Sequence, residues 1–465
     1  MSYQVGIDVG TTWTAAAVCR GGEAVEMVPL GERSPALPSA IHIGMDGVLD
    51  IGEAALRREM SDPAGVVQEF TRRIGDRTPV VAGGIAVPAE ALATRFLAKV
   101  LQVVAEREGG PADRVAVAHP AGWGPHRLGA LRHALGREGL GNAVLVAEPQ
   151  AAAIGYARAT RVETGAAIAV YDLGGGTFDA AVVRKTDAGG GFALLGRPQG
   201  IEDLGGVDFD AAVFDHVRVE IGTRWDALDV ADAEVLAAVA ALRRDCTIAK
   251  ETLSQDTVAA VPVSLPDIHT TVRLQRAQFE EMIRPAIDTT TATLQAVIRS
   301  AAVADGDVPT VLLVGGSSRI PLVAQILRGL GYRVAVDVDP KGAVAIGAAV
   351  AASRIGRTPA GAARPIRQNR PTRPVAPPRQ VPAVPATGTG RMVAPPTAPP
   401  KYVQPFHEPP SPARRRLGAV LGVLAVVVTA LVVGGSLLSY VLSGGANTAP
   451  AAPPLPTSTS APAPG

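Results

Sequence analysis

No stretch of this 465-residue chain constrains the fold more than Ile168-Ala169-Val170-Tyr171-Asp172-Leu173-Gly174-Gly175-Gly176-Thr177-Phe178-Asp179. An apolar strand ends in an acid, three glycines follow, and a hydroxyl and a second acid close the turn. Glycines let a backbone approach phosphate oxygens, and successive N–H groups form a cradle for an anion. The acid at the strand end is placed to hold Mg²⁺ through water, because that ion sheds its hydration shell reluctantly. The N-terminal run Val5-Gly6-Ile7-Asp8-Val9-Gly10-Thr11-Thr12 repeats the idea. Two such turns about 165 residues apart predict a duplicated fold that clamps phosphates between two lobes. The alternative phosphate loop, Gly-x-x-x-x-Gly-Lys-Ser/Thr, occurs nowhere in the sequence and is excluded.

Around these turns, apolar strand patterns alternate with helical ones. Strands are predicted at Val5–Val9, Ala15–Cys19, Val115–Ala118, Ala143–Val146, Ile168–Tyr171, Ala180–Val183 and Val311–Val314. A helix is predicted over Pro88–Glu108, opened by proline, with Leu92, Phe96, Val100 and Val104 at helical spacing and Gly109-Gly110 closing it. Strands alternating with helices give an α/β layer architecture.

At the two glycine turns the sequence resembles the DnaK-type 70-kilodalton heat shock proteins of the actin, sugar-kinase and chaperone superfamily, and further segments match in that family's order. Ala147-Glu148-Pro149-Gln150-Ala151-Ala152-Ala153 is similar to its Asn-Glu-Pro-Thr-Ala-Ala-Ala connection, and Leu204 to Asp210 to its Leu-Gly-Gly-Glu-Asp-Phe-Asp stretch. Cys246 to Ser254 resembles its nucleoside-side helix, Val314 to Pro321 its Val-Gly-Gly-Ser-Thr-Arg-Ile-Pro loop, and Asp339 to Ala349 its closing helix. The resemblance implies an α/β, two-lobed actin-like ATPase domain over residues 1–353, each lobe on a ribonuclease-H-like sheet, with ATP or ADP and Mg²⁺ in the cleft. It places lobe I at about 1–165, lobe II at about 166–335 and the closing helix at about 340–353.

The resemblance also implies roles. Asp8 and Asp172 organise the Mg²⁺ shell through water. Gly10, Thr11, Thr12, Gly174, Gly175, Gly176 and Thr177 surround the phosphates, and Glu148 orients the attacking water. Gly315, Gly316, Ser317 and Arg319 border the adenosine, with Lys250 and Ser254 facing them. Phosphoryl transfer is mostly positioning and charge neutralisation, so these are the parts it requires. One part differs. Where the family carries a lysine before Arg-x-Ile-Gly, this chain reads Phe70-Thr71-Arg72-Arg73-Ile74-Gly75, with Thr71 in the lysine's place and Arg72 and Arg73 as possible substitutes. Glu251 replaces an arginine, Thr247 a glutamate, and Lys341 stands where an acid is common.

Twelve of the 44 basic residues but one of the 43 acidic ones lie from Arg354 onward, leaving about −10 on residues 1–353. That argues against nucleic-acid binding, which rests on basic phosphate contacts. Cys19 and Cys246 sit in apolar patterns and read as buried free thiols, and the histidines show no metal-ligand spacing. Residues 354–416 form a Pro/Arg-rich segment expected to be a disordered linker, where the family's peptide-binding domain is expected. Leu417–Leu442 carries no charge over 26 positions, long enough to cross a ~30 Å hydrocarbon core as a helix. Arg414-Arg415-Arg416 precede it, so the positive-inside rule puts the nucleotide domain in the cytoplasm and the tail 443–465 outside.

The expected function is a membrane-tethered, ATP-binding, DnaK-like switch with weak ATPase activity, regulating a membrane-associated protein partner. Two alternatives stand beside it: a non-hydrolysing scaffold, suggested by Thr71, Glu251 and Lys341, and a small-molecule kinase of the same superfamily.

Overall fold

The computed structural model describes residues 2–354 apart from 23, 33, 45–46, 60, 187–190, 230–231, 304–308 and 337–341. The proline-rich segment beyond Arg354, the apolar run Leu417–Leu442, the tail and Lys341 therefore lie outside the described residues. Among the described residues, no helix is long and apolar enough to cross a membrane.

Two mixed sheets organise the described chain, and they share one topology. In the first, the path runs through Ala24–Val28, Trp13–Arg20, Tyr3–Val9, Arg114–His119 and Val144–Ala147. In the second it runs through Phe192–Ile201, Phe178–Lys185, Ala167–Leu173, Thr310–Val314 and Val334–Val336. Each sheet begins as a three-stranded antiparallel meander and continues with two parallel strands. The alternation of inward and outward side chains fixes the register of such strands, since a one-residue slip would turn every buried residue outward.

The seven strands predicted from sequence fall on observed strands, with Ala143–Val146 displaced by one residue to Val144–Ala147. The predicted helix is Ala89–Glu108, with Pro88 just before it and Gly109 closing it at φ 78°, the left-handed geometry glycine adopts without a side-chain clash. Both cysteines are free and buried. Elements without a sequence forecast include the hairpin of Val258–Leu265 with Ile268–Gln275 and the long helix Arg276–Ser300.

The last described element, helix Ala343–Arg354, returns to the first sheet. It packs against Tyr3–Val9 and against the helix Glu148–Ala159. Small residues make that approach possible: a Cβ on Gly6, Gly155 or Gly347 would run into the backbone of Ala345, Ala343 or Ala151 respectively. Gly347→Ala is expected to lower stability by about 1–3 kcal/mol in urea unfolding of the full chain, as overpacking does. Gly329→Ala, at a position where a Cβ meets nothing within 4 Å, is expected to leave it unchanged or slightly raised.

Candidate functional site

Each meander turns toward the same cleft through a matching hairpin. In the first, Asp8 pairs with Ala15 and Gly10 donates its N–H to the carbonyl of Trp13 at 3.2 Å. In the second, Asp172 pairs with Asp179 and Gly174 donates to the carbonyl of Thr177 at 3.0 Å. The two turns thus have the same length and the same closing hydrogen bond. They differ in content: the first offers the hydroxyls of Thr11 and Thr12, the second three glycines and an additional acid.

Carbonyl groups of the second turn are tied down from behind. The Gly174 oxygen accepts from the Gly206 N–H at 3.1 Å and the Ser317 hydroxyl at 2.8 Å, and the Gly175 oxygen accepts from the Val207 N–H at 2.7 Å. The two N–H donors come from the first turn of helix Gly206–Ile221, whose start is fixed by Asp208 accepting the Gly205 N–H at 2.7 Å, and Ser317 reaches in from the short helix Gly316–Arg319. This leaves the amides of Gly175 and Gly176 without a backbone partner among the described residues. Ser39 does the same for the first turn: its hydroxyl donates to the Gly10 carbonyl and its N–H to the Thr12 carbonyl, both at 2.8 Å. The Thr12 hydroxyl itself is buried with no hydrogen-bond partner. A Cβ on Gly175 would collide with it, so the two turns are nearly in contact.

Four carboxylates converge between the turns. Asp8, Asp172, Asp179 and Glu148 are each half-buried, with one edge on the cleft and protein elsewhere. Burial and the Asp172 charge push the Asp8 carboxyl up to about 7. Burial alone raises Asp172 to about 7. Asp179 rises to about 8, through burial first and then the charges of Asp172 and Glu202, against a lowering hydrogen bond from Thr177. Glu148, at the N-terminus of its helix, is raised by burial and by Asp8, Asp179 and Asp172.

Such a cluster suits a divalent cation, whose charge would return all four groups to the ionised form. Among the described residues no three metal-ligating side chains stand close enough to hold an ion directly. Contact through an ion's own water shell asks for nothing closer, and Mg²⁺ is the ion that keeps that shell.

The cleft has a volume of about 800 Å³. It gathers Asp8, Gly10, Thr11, Thr12, Glu148, Asp172, Gly174, Gly175, Thr177, Lys250, Ser254, Gly315, Gly316, Ser317 and Arg319. Gly176 is the exception: it is buried within the turn, beside Thr11 and Arg72, and its carbonyl accepts from Arg72. Lys250 lines the cleft with its ammonium already engaged, 2.8 Å from Asp210 and 3.1 Å from the Gly206 carbonyl. Gly315 has φ 82°, and a Cβ there would stand 2.6 Å from an Asp172 oxygen.

Three participants were not assigned from sequence. Asp179 lay inside the quoted motif, and its place opposite Asp172 follows once the hairpin closes. Asp210 anchors Lys250. Trp123 lines the cleft and stacks on His119 with ring centroids 6.3 Å apart.

Two sheets of one topology, facing a glycine-lined acidic cleft, define the actin-like ATPase fold class. A family model described as Hsp70 protein matches residues 4–357, and the chain belongs to that family. It is 29% identical over 368 residues to the chaperone protein DnaK of Cenarchaeum symbiosum, covering 76% of this chain and 55% of that protein. It is 31% identical over 364 residues to the chaperone protein DnaK of Picrophilus torridus, covering 75% and 58%. To the chaperone protein HscA homolog of Bordetella petrii it is 33% identical over 377 residues, covering 75% and 57%. The chain thus spans little more than half the length of these relatives.

The carboxylate cluster sets a pH dependence. Its members hold protons more tightly in the folded protein than in the unfolded chain, so their contribution to stability is full below about pH 4 and is lost as pH rises through about 7 to 8. The melting temperature in chelator is expected to fall across that window. Asp172→Asn should flatten the fall, and excess Mg²⁺ should reduce it. A melting temperature that rises over the same window would contradict the assignment.

Proposed function

We propose that the cleft binds ATP or ADP with Mg²⁺ and that the chain works as a nucleotide-dependent switch on a membrane-associated partner. The observation that carries the nucleotide reading is the pair of matched hairpin turns, their carbonyls fastened behind them, set against four half-buried carboxylates. Asp8 and Asp172 would hold the ion through water, with Asp179 and Glu148 behind them, and the bound ion supplies charge neutralisation at the phosphates. The amide of Gly175 and the Thr12 hydroxyl are donors left for phosphate oxygens. Gly315, Gly316, Ser317 and Arg319 line the cleft together with Lys250 and Ser254, which supports their place beside the nucleoside. Glu148 would accept a hydrogen bond from water once neighbouring positive charge has ionised it.

Hydrolysis is the weaker half of the proposal. Thr71 is buried in the cleft wall and has no positive charge to offer. That observation favours a second reading in which the protein binds ATP and scarcely hydrolyses it, serving as an ATP-sensing scaffold. Single-turnover hydrolysis by the native chain and by Thr71→Lys separates the two. A native rate close to that of the variant supports an ATPase, and turnover confined to the variant supports the scaffold.

A switch requires that ATP bind one arrangement of the cleft better than another. Limited proteolysis of the full chain is expected to give different patterns with ATP, with ADP and without nucleotide, and identical patterns would sink the switch reading. Gly175→Val, which drives a side chain into Thr12, should weaken ATP binding by more than about tenfold.

Membrane tethering by the apolar run Leu417–Leu442, with the nucleotide domain in the cytoplasm, belongs to the same proposal. It rests on the sequence alone. The full chain is expected to float with membranes and to lose that property when 417–442 are deleted.

A further inference from the structure

Among the described residues four cationic side chains line the cleft, and three of them are paired elsewhere or exposed to solvent. Lys250 is paired with Asp210 at 2.8 Å. Arg127 holds Glu202 with two hydrogen bonds, at 2.7 and 3.4 Å. Arg319 is exposed on the short helix Gly316–Arg319. The fourth, Arg72, is different. It leaves the short helix Phe70–Arg73 and reaches the second turn, where its Nη2 donates to the Gly176 carbonyl.

The guanidinium sits between the two phosphate turns. A Cβ placed on Gly176 would lie 2.6 Å from Arg72 Nη2 and 2.8 Å from the Thr11 methyl, so Arg72 and Thr11 crowd the same glycine from the side of the first turn. About four-fifths of the Arg72 side chain is withdrawn from solvent. Its Nη1 donates to Glu69 at 2.9 Å and lies 3.7 Å from the exposed Asp203. Its Nε is buried and has no hydrogen-bond partner. Glu69, which steadies the group, is held at φ 54°, a left-handed conformation that costs a non-glycine residue energy and calls for a compensating purpose. Arg73, one residue on, turns away: it bonds the carbonyls of Thr78 and Pro79 and faces Asp76 at 3.5 Å.

An arginine is always charged, and its planar fork presents several N–H groups to oxygen at once. A buried N–H lacking an acceptor, beside amides that also lack one, is a donor set waiting for an oxyanion. We infer that Arg72 reads the terminal phosphate of ATP, supplying the positive charge that Thr71, the residue before it, lacks. The side chain thereby discriminates ATP from ADP. This rests on the nucleotide reading above and extends it to a named residue.

The test measures Mg²⁺-dependent binding of ATP and of ADP to the full chain and to Arg72→Gln, Arg72→Lys and Arg73→Gln. Arg72→Gln is expected to lose about tenfold or more in ATP affinity, the scale of one charge-assisted hydrogen bond, with ADP affinity changed far less. Arg72→Lys should recover part of the loss, and adding Thr71→Lys to Arg72→Gln should restore discrimination. Arg73→Gln should match the native chain for both nucleotides.

Equal losses for ATP and ADP would make Arg72 a clasp between the halves and overturn the inference. So would an Arg72→Gln chain that still prefers ATP as the native one does. Arg72→Lys guards against a folding artefact, because it keeps the stem and charge: if its melting temperature is native while its ATP preference is fully lost or wholly unaltered, the inference falls as well. A native chain that binds neither nucleotide overturns the nucleotide reading and this inference together, an outcome distinct from the others.

Discussion

Asp8, Asp172, Asp179 and Glu148 are gathered where burial resists their ionisation and their neighbouring charges add to it, and the cleft is organised around that cost. Two sheets bring Asp8, Asp172 and Asp179 there from opposite sides at the ends of their strands, and Glu148 arrives at the N-terminus of a helix. An arrangement of this kind is unfavourable to the folded chain by itself, and it persists because the rest of the fold over-determines it. Tyr171, Phe178, Ile7 and Val5 are buried in the same strands that carry the acids. The register that hides those side chains is the register that aligns Asp172 with Asp179. Hydrophobic burial thus holds charge in a position that charge alone would abandon.

The same economy governs the backbone. A glycine turn is a loose element unless something restrains it, and here the restraint acts on carbonyls. Gly206, Val207 and Ser317 hold the second turn, Ser39 the first. Oxygen atoms drawn behind the turn cannot compete with an anion in front of it, so the electrostatic sign of the cleft wall is fixed before any ligand arrives. The acids supply the opposite sign a few residues away. Nucleotide and cation are matched by two neighbouring surfaces of opposite charge, both built from the ends of strands.

Much of this was legible in the sequence because it is local. A strand, an acid and a glycine turn are contiguous, and the repeated turn announced a repeated sheet. The segments resembling the heat shock proteins supplied the adenosine side. What escaped was whatever depends on phase or on distant partners. Thr71, Arg72 and Arg73 are adjacent in sequence, and successive side chains of a tight helix point about 120° apart. Thr71 and Arg72 line the cleft and Arg73 faces Thr78, yet nothing in the string of letters sets that phase. Asp179 was visible as a letter and not as a neighbour of Asp172, which a four-residue turn makes it. The helix Arg276–Ser300 contains Pro285, a residue that ordinarily interrupts such a pattern, and the sequence offered no forecast there.

The helix Ala343–Arg354 closes the first sheet with residues made after the second sheet is complete. Gly6 and its neighbours await Ala345, Ala348 and Ala349, which follow by some 340 positions in the chain. A protein emerging from the ribosome ordinarily folds its earlier part first. Here the earlier half must wait with an uncovered alanine-and-glycine face until the later half has been synthesised. A truncation that removes only the helix from Ala343 onward would keep every strand of the newer sheet and leave the older one uncovered.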